Sequence, residues 1–78
     1  MSGPPPLTNT IRKLRFEHGE MTQQALADRV GISRQTVIAL EANKYVPSLL
    51  LAMRLARVFG AAVEQVFALD ETIATAAE

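Results

Sequence analysis

Apolar residues recur along this chain at steps of three and four, and short polar corners interrupt them. Ile11 and Leu14 share one helical face; Leu26, Ala27 and Val30 share a second; Val37 and Leu40 share a third. From Leu49 the run LLLAMRLARVF carries a longer apolar face, and VEQVF at 63–67 carries a brief one. No segment sustains period-two alternation, and neither Asn-Gly nor Asp-Gly occurs, so the usual hairpin signals are missing. The pattern predicts an all-α domain of five short helices.

Capping residues divide these helices. Thr8 or Asn9 can cap the first, which ends near Gly19. Thr22 can cap a helix over 23–30, with Gly31 ending it in the left-handed backbone that glycine tolerates. Ser33 can cap a third over 34–42, and Asn43 suits the left-handed position after it. Pro47 and Ser48 stop the chain and restart it; a fourth helix over 49–59 is ended by Gly60. The second and third helices are separated by only about three residues, so they must cross steeply. Ala27 lies where they approach, Gly31 makes the turn, and Val37 and Leu40 lock the third helix down. Leu26, Val30 and Ile32 fill the space around them. The other side of the third helix carries Gln35, Ile38, Ala39 and Ala42, with Arg34 at its edge. That side is too small and apolar for an ordinary wet surface and too polar for a core.

A chain of 78 residues makes one domain with a modest core. The absence of Cys excludes disulfides and thiolate metal sites. The lone His18 has no carboxylate at ligand-like spacing, so neither a metal site nor a cofactor is expected. A second subunit is then the leading source of extra stability. No apolar run approaches the ~20 residues needed to cross a bilayer, and the start MSGPPPLTN lacks the basic and apolar parts of a signal peptide; a cytoplasmic location is expected. Residues 1–8 read as a disordered Pro-rich leader, 9–69 as the folded domain, and 70–78 as an acidic tail that could join a dimer contact. Formal net charge is zero, but unevenly spread: all eight Lys and Arg lie in residues 1–60 with four carboxylates, while the other four carboxylates lie in 61–78. A basic body is joined to an acidic tail. With no Cys, no partner for His18 and no glycine-rich phosphate loop, the sequence does not read as an enzyme.

The set Ala27, Gly31, Val37 and Leu40 resembles the helix-turn-helix of the phage repressor and Cro family. IRKLR at 11–15, MTQQALA at 21–27, GISRQTV at 31–37, LEANKYVPSL at 40–49 and ARVFG at 56–60 are similar, in order, to segments of its small stand-alone regulators. Four departures stand out: Glu20 is an extra residue before the second helix, Ala25 replaces a frequent Glu, Asn43 replaces a common Gly, and Val46 and Leu50 are apolar where polar residues are usual.

The resemblance implies a compact five-helix repressor-like domain whose third helix lies in the major groove. Arg34 would contact guanine and Gln35 adenine; Ile38 and Ala39 would touch thymine methyls, and Thr36 a base or phosphate. Gln23, Asn43, Lys44 and Tyr45 would hold phosphates. The resemblance also implies an Arg15–Glu41 pair bridging the first and third helices. It implies a homodimer on a palindromic operator, with Val63, Val66, Phe67, Leu69 and Ile73 at the dimer interface, although Phe67 also reads as core. The expected function is sequence-specific transcriptional regulation, with repression the expected sense and no small-molecule effector or membrane partner evident. The alternative is a helical protein-interaction module, or an antitoxin-like accessory protein, docking a partner through Val46, Leu50 and Met53.

Overall fold

The computed structural model describes residues 5–70. In chain order it contains β1 (Leu7–Asn9), α1 (Ile11–Glu17), α2 (Gln23–Val30), α3 (Arg34–Glu41), α4 (Leu49–Phe59), α5 (Val63–Val66) and β2 (Phe67–Leu69).

Three helices begin where a hydroxyl waits for them. Thr22 Oγ1 accepts from the Ala25 N–H at 3.0 Å, Ser33 Oγ from Thr36 at 3.1 Å, and Ser48 Oγ from Leu51 at 3.1 Å. Each satisfies a backbone donor that a helix start leaves without an internal partner. The ends follow the same economy: Gly31 and Gly60 are left-handed, with φ 76° and 61°, and Asn43 takes φ 59°. A Cβ placed on Gly31 would meet nothing within 4 Å. The corner therefore demands the left-handed backbone, not the missing volume. The extra residue before α2, Glu20, is itself left-handed at φ 54° beside Gly19 at 76°. The pair turns the chain so that the Met21 N–H reaches Arg15 O at 2.9 Å.

The all-α expectation needs one correction. β1 and β2 form a two-stranded antiparallel sheet with Leu7 opposite Leu69, Thr8 opposite Ala68 and Asn9 opposite Phe67. Leu7 and Thr8 thus belong to the fold and not to the leader. Phe67, expected as the last residue of the fifth helix, begins β2 instead. Beside the sheet the Thr10 N–H donates to Val66 O at 2.9 Å, and Asp70 N–H to Pro6 O at 3.0 Å. These contacts bring the two ends of the described chain together. The first helix also starts differently: Thr10 is its N-cap by backbone but makes no side-chain cap bond. Asn9 Oδ1 accepts from the Ile11 N–H at 3.1 Å instead.

Ile11, Leu26, Val37, Leu40, Leu55 and Val66 are fully buried and form the centre of the core. Ala27 is equally buried, in the region where α2 and α3 meet. Replacing it with leucine adds volume with nowhere to go, and overpacking of this kind costs about 1–3 kcal/mol. Urea unfolding of Ala27→Leu is expected to show that loss; an unchanged midpoint would mean the α2–α3 contact is loose. No helix among the described residues is long and apolar enough to cross a membrane.

Candidate nucleic-acid interface

α3 is held by its inner residues and presents its outer ones. Val37 and Leu40 are buried, while Arg34, Gln35 and Ala42 are exposed and Ala39 is half-buried. Ile38 is 40% exposed, which excludes the rotated helix that would have placed it in the core. The side chains of Arg34 and Gln35 have no hydrogen-bond or ion-pair partner among the described residues. A guanidinium and an amide stand unspent beside small and apolar neighbours. Thr36 differs: it is half-buried, and its hydroxyl lies 2.9 Å from Ser33 Oγ, within the cap.

Two polar assemblies fix the C-terminal end of α3. Near its last turn, Arg15 reaches from α1 with a fork-like grip on Glu41: Nε to Oε2 at 2.6 Å and Nη2 to Oε1 at 3.1 Å. Its Nη1 donates to Met21 O at 2.7 Å, in the turn before α2. Gln23, the first residue of α2, donates from Nε2 to Glu41 Oε1 at 3.1 Å. One carboxylate thus gathers α1, α2 and α3. The Arg15 and Glu41 side chains are only 9% and 10% exposed, so the expected pair is present, and it is a buried one.

The second assembly centres on Asn9. Its amide donates to Leu40 O at 2.7 Å and to Asn43 Oδ1 at 2.9 Å, while its carbonyl caps α1. The segment after α3 is closed further by the Lys44 N–H on Ala39 O at 2.9 Å. The expected phosphate contacts therefore divide. Gln23 and Asn43 are each held by a neighbour within the chain. Lys44 and Tyr45 are exposed, and the Lys44 ammonium has no ion-pair partner among the described residues. Local sequence marks Asn9 only as a possible cap. Its second role depends on a neighbour 34 residues away, which local spacing does not reveal.

An open cleft of about 450 Å³ runs between the outer stripe of α1 and α3, lined by Asn9, Thr10, Arg12, Lys13, Phe16 and Glu41. The Arg12 guanidinium lies 5.9 Å from the Phe16 ring centre and that of Arg15 5.7 Å. Both are within cation–π reach. Arg12 and Lys13 add positive charge beside α3, a juxtaposition made by the fold and not by local spacing.

The residues expected at a dimer interface are scattered by the fold. Val66 and Phe67 are buried in this chain's own core, where their apolar surface is already covered, so they present nothing to a second copy. Val63 is half-buried and Leu69 is 62% exposed. Ile73 lies outside the described residues.

Two helices crossing at a left-handed glycine corner, the second presenting an unpartnered arginine and glutamine, define a helix-turn-helix protein. The chain belongs to the Cro and phage-repressor type of the helix-turn-helix family, whose description matches residues 11–65. It is 55% identical over 62 residues to an uncharacterized HTH-type transcriptional regulator of Methanothermobacter thermautotrophicus, an alignment covering 78% of this chain and 88% of that protein. It is 43% identical over 65 residues to the uncharacterized HTH-type transcriptional regulator YgzD of Bacillus subtilis, covering 83% and 97% respectively. In structure it is similar to a Bacteroides fragilis protein described as a candidate DNA-binding protein, with a TM-score of 0.68 and 24% identity over 80% of this chain and 98% of the other. That last likeness concerns the fold alone.

Proposed function

We propose that this protein is a homodimeric transcriptional regulator that binds double-stranded DNA at a palindromic site and represses by occupying it. The observation that carries the reading is the outer face of α3: Arg34 and Gln35 are exposed and uncommitted on a helix whose other side is buried. Arginine can present two donors to guanine O6 and N7, and glutamine can pair both ways with adenine N6 and N7. Ile38 and Ala39 supply apolar contact one turn later, of the kind a thymine methyl accepts. The names of the relatives support regulation as the outcome.

Phosphate contacts set position and not sequence. Lys44 and Tyr45 are available for them directly. Gln23 keeps a second amide N–H after its bond to Glu41 and sits at the start of α2, where anions are favoured. Asn43 contributes by holding the segment after α3 in place. Two copies would read two half-sites about 34 Å apart. Nothing in the α3 face suggests bond-making chemistry: its side chains are a cation, an amide and small apolar groups, suited to recognition.

Lys44→Ala tests the division of labour. Binding should weaken to a similar degree on all duplexes, and the slope of log K against log salt should shrink by roughly one. A titration of labelled duplex at several salt concentrations checks both. An unchanged slope would remove Lys44 from the phosphate contacts.

A further inference from the structure

Phe16 is an exposed ring on a charged helix face. It is 53% exposed on α1, among the exposed side chains of Arg12, Lys13 and Glu17. A phenyl group so placed gains little from burial. Its contacts are with charge instead: the Arg15 guanidinium stands 5.7 Å from the ring centre, and that of Arg12, one helical turn back, 5.9 Å. The two arginines differ in what else they hold. Arg15 is engaged with Glu41 and Met21 O. Arg12 is exposed, and its guanidinium has no hydrogen-bond or ion-pair partner among the described residues. It rests on the Phe16 ring.

Arg12 also flanks the end of α3. The cleft it lines reaches α3 at Glu41, and Asn9, in the same cleft, bonds Leu40 O and the Asn43 side chain. Exposed Lys44 comes next in the chain. The major groove is about 12 Å wide, and a helix with its side chains is about 10–12 Å across. A group that flanks a helix lying in that groove therefore stands at a phosphate run. Glu41, the carboxylate in the cleft lining, would repel phosphate, but its oxygens already accept from Arg15 and Gln23. Lys13 shares the cleft, but Glu17 lies one turn along the same face and offsets its charge.

We propose that Arg12 is a further phosphate contact, and that Phe16 is the positioning residue that holds its guanidinium toward the duplex. An arginine loses rotamer freedom when a phosphate fixes it. A guanidinium already resting on a ring has lost part of that freedom beforehand, so less is lost on binding. The inference rests on the DNA binding by α3 proposed above and adds to it a contact from α1, outside the α2–α3 pair. It also gives the exposed ring of Phe16 a task that burial does not.

Titration of two labelled duplexes at several salt concentrations tests this, one carrying a site selected from a random library and one of random sequence, with circular dichroism to verify folding. Arg12→Ala should weaken binding to both alike and reduce the slope of log K against log salt by roughly one. Phe16→Leu should lower affinity about two- to fivefold, the range for an exposed cation–π contact. It should leave the slope unchanged, since the charge remains. Phe16→Tyr keeps a ring and should bind as the wild type does. In the Arg12→Ala background Phe16→Leu should have no further effect, because a positioning residue acts only through the group it positions. An equal loss with and without Arg12 would overturn the assignment of Phe16, which would then act through Arg15 or the fold. An unchanged slope in Arg12→Ala would overturn the phosphate contact, and if the wild type still selects a site with a steep salt dependence, DNA binding by α3 stands without it. If the wild type binds neither duplex, the DNA-binding reading falls, and this contact with it.

Discussion

Arg15→Ala is expected to destabilise the protein by about 3–5 kcal/mol, the cost of leaving a buried charge without its partner. Small domains hold together by only about 5–15 kcal/mol in all, so the loss should move the urea midpoint far toward zero. The reason lies at Glu41, which is 10% exposed and accepts from both nitrogens of the Arg15 fork and from Gln23. Without Arg15 a largely buried carboxylate keeps only one neutral donor, and Met21 O loses its donor as well. Replacing both partners with apolar residues, Arg15→Met with Glu41→Leu, should recover much of the stability, since no orphan charge is left. The recovered protein should still bind DNA less tightly, because Gln23 has lost the group that holds it. A loss below about 1 kcal/mol for Arg15→Ala would mean that water reaches the pair and that it behaves as a surface ion pair.

The second large effect concerns selectivity. Arg34→Ala should relax recognition at one base position by about 1–3 kcal/mol while leaving the unfolding midpoint unchanged. Gln35→Ala should do the same at a neighbouring position. At about 1.4 kcal/mol per tenfold, each loss is readily measured by competition between duplexes differing at a single base pair. The two positions relaxed should be distinct, and G·C at one and A·T at the other are the expected losses. Stability should hold because neither side chain has a partner among the described residues. A uniform loss over all duplexes would instead move these residues into the phosphate contacts.

Much of this arrangement was legible in the sequence because it is set by local chemistry. Thr22, Ser33 and Ser48 announce helix starts by their hydroxyls, and Gly31, Asn43 and Gly60 announce ends by the backbone they tolerate. The rotation of α3 followed from Val37 and Leu40 alone, and so did the exposure of Arg34 and Gln35. What escaped depends on distant partners. The strands are three residues each, too short for alternation to show, and their pairing joins residues some 60 positions apart. Asn9 could be seen as a cap but not as the link to Leu40 and Asn43. Phe67 looks alike as a helix end and as a strand start until β1 is present to pair with it. Two of the expected dimer residues are taken by the core for a related reason: apolar spacing in 63–69 marks a face to be covered, without saying whether this chain or another covers it. For Val66 and Phe67 this chain does.

Sequence-specific recognition of duplex DNA by α3 is tested most directly by selecting binding sites from a library of random duplexes at several salt concentrations. The expected result is enrichment of a palindromic site whose half-sites are centred about one helical turn apart, a steep fall of affinity with salt, and loss of defined base positions in the Arg34→Ala and Gln35→Ala selections. A library that emerges without enrichment, with both variants indistinguishable from the wild type, would contradict it.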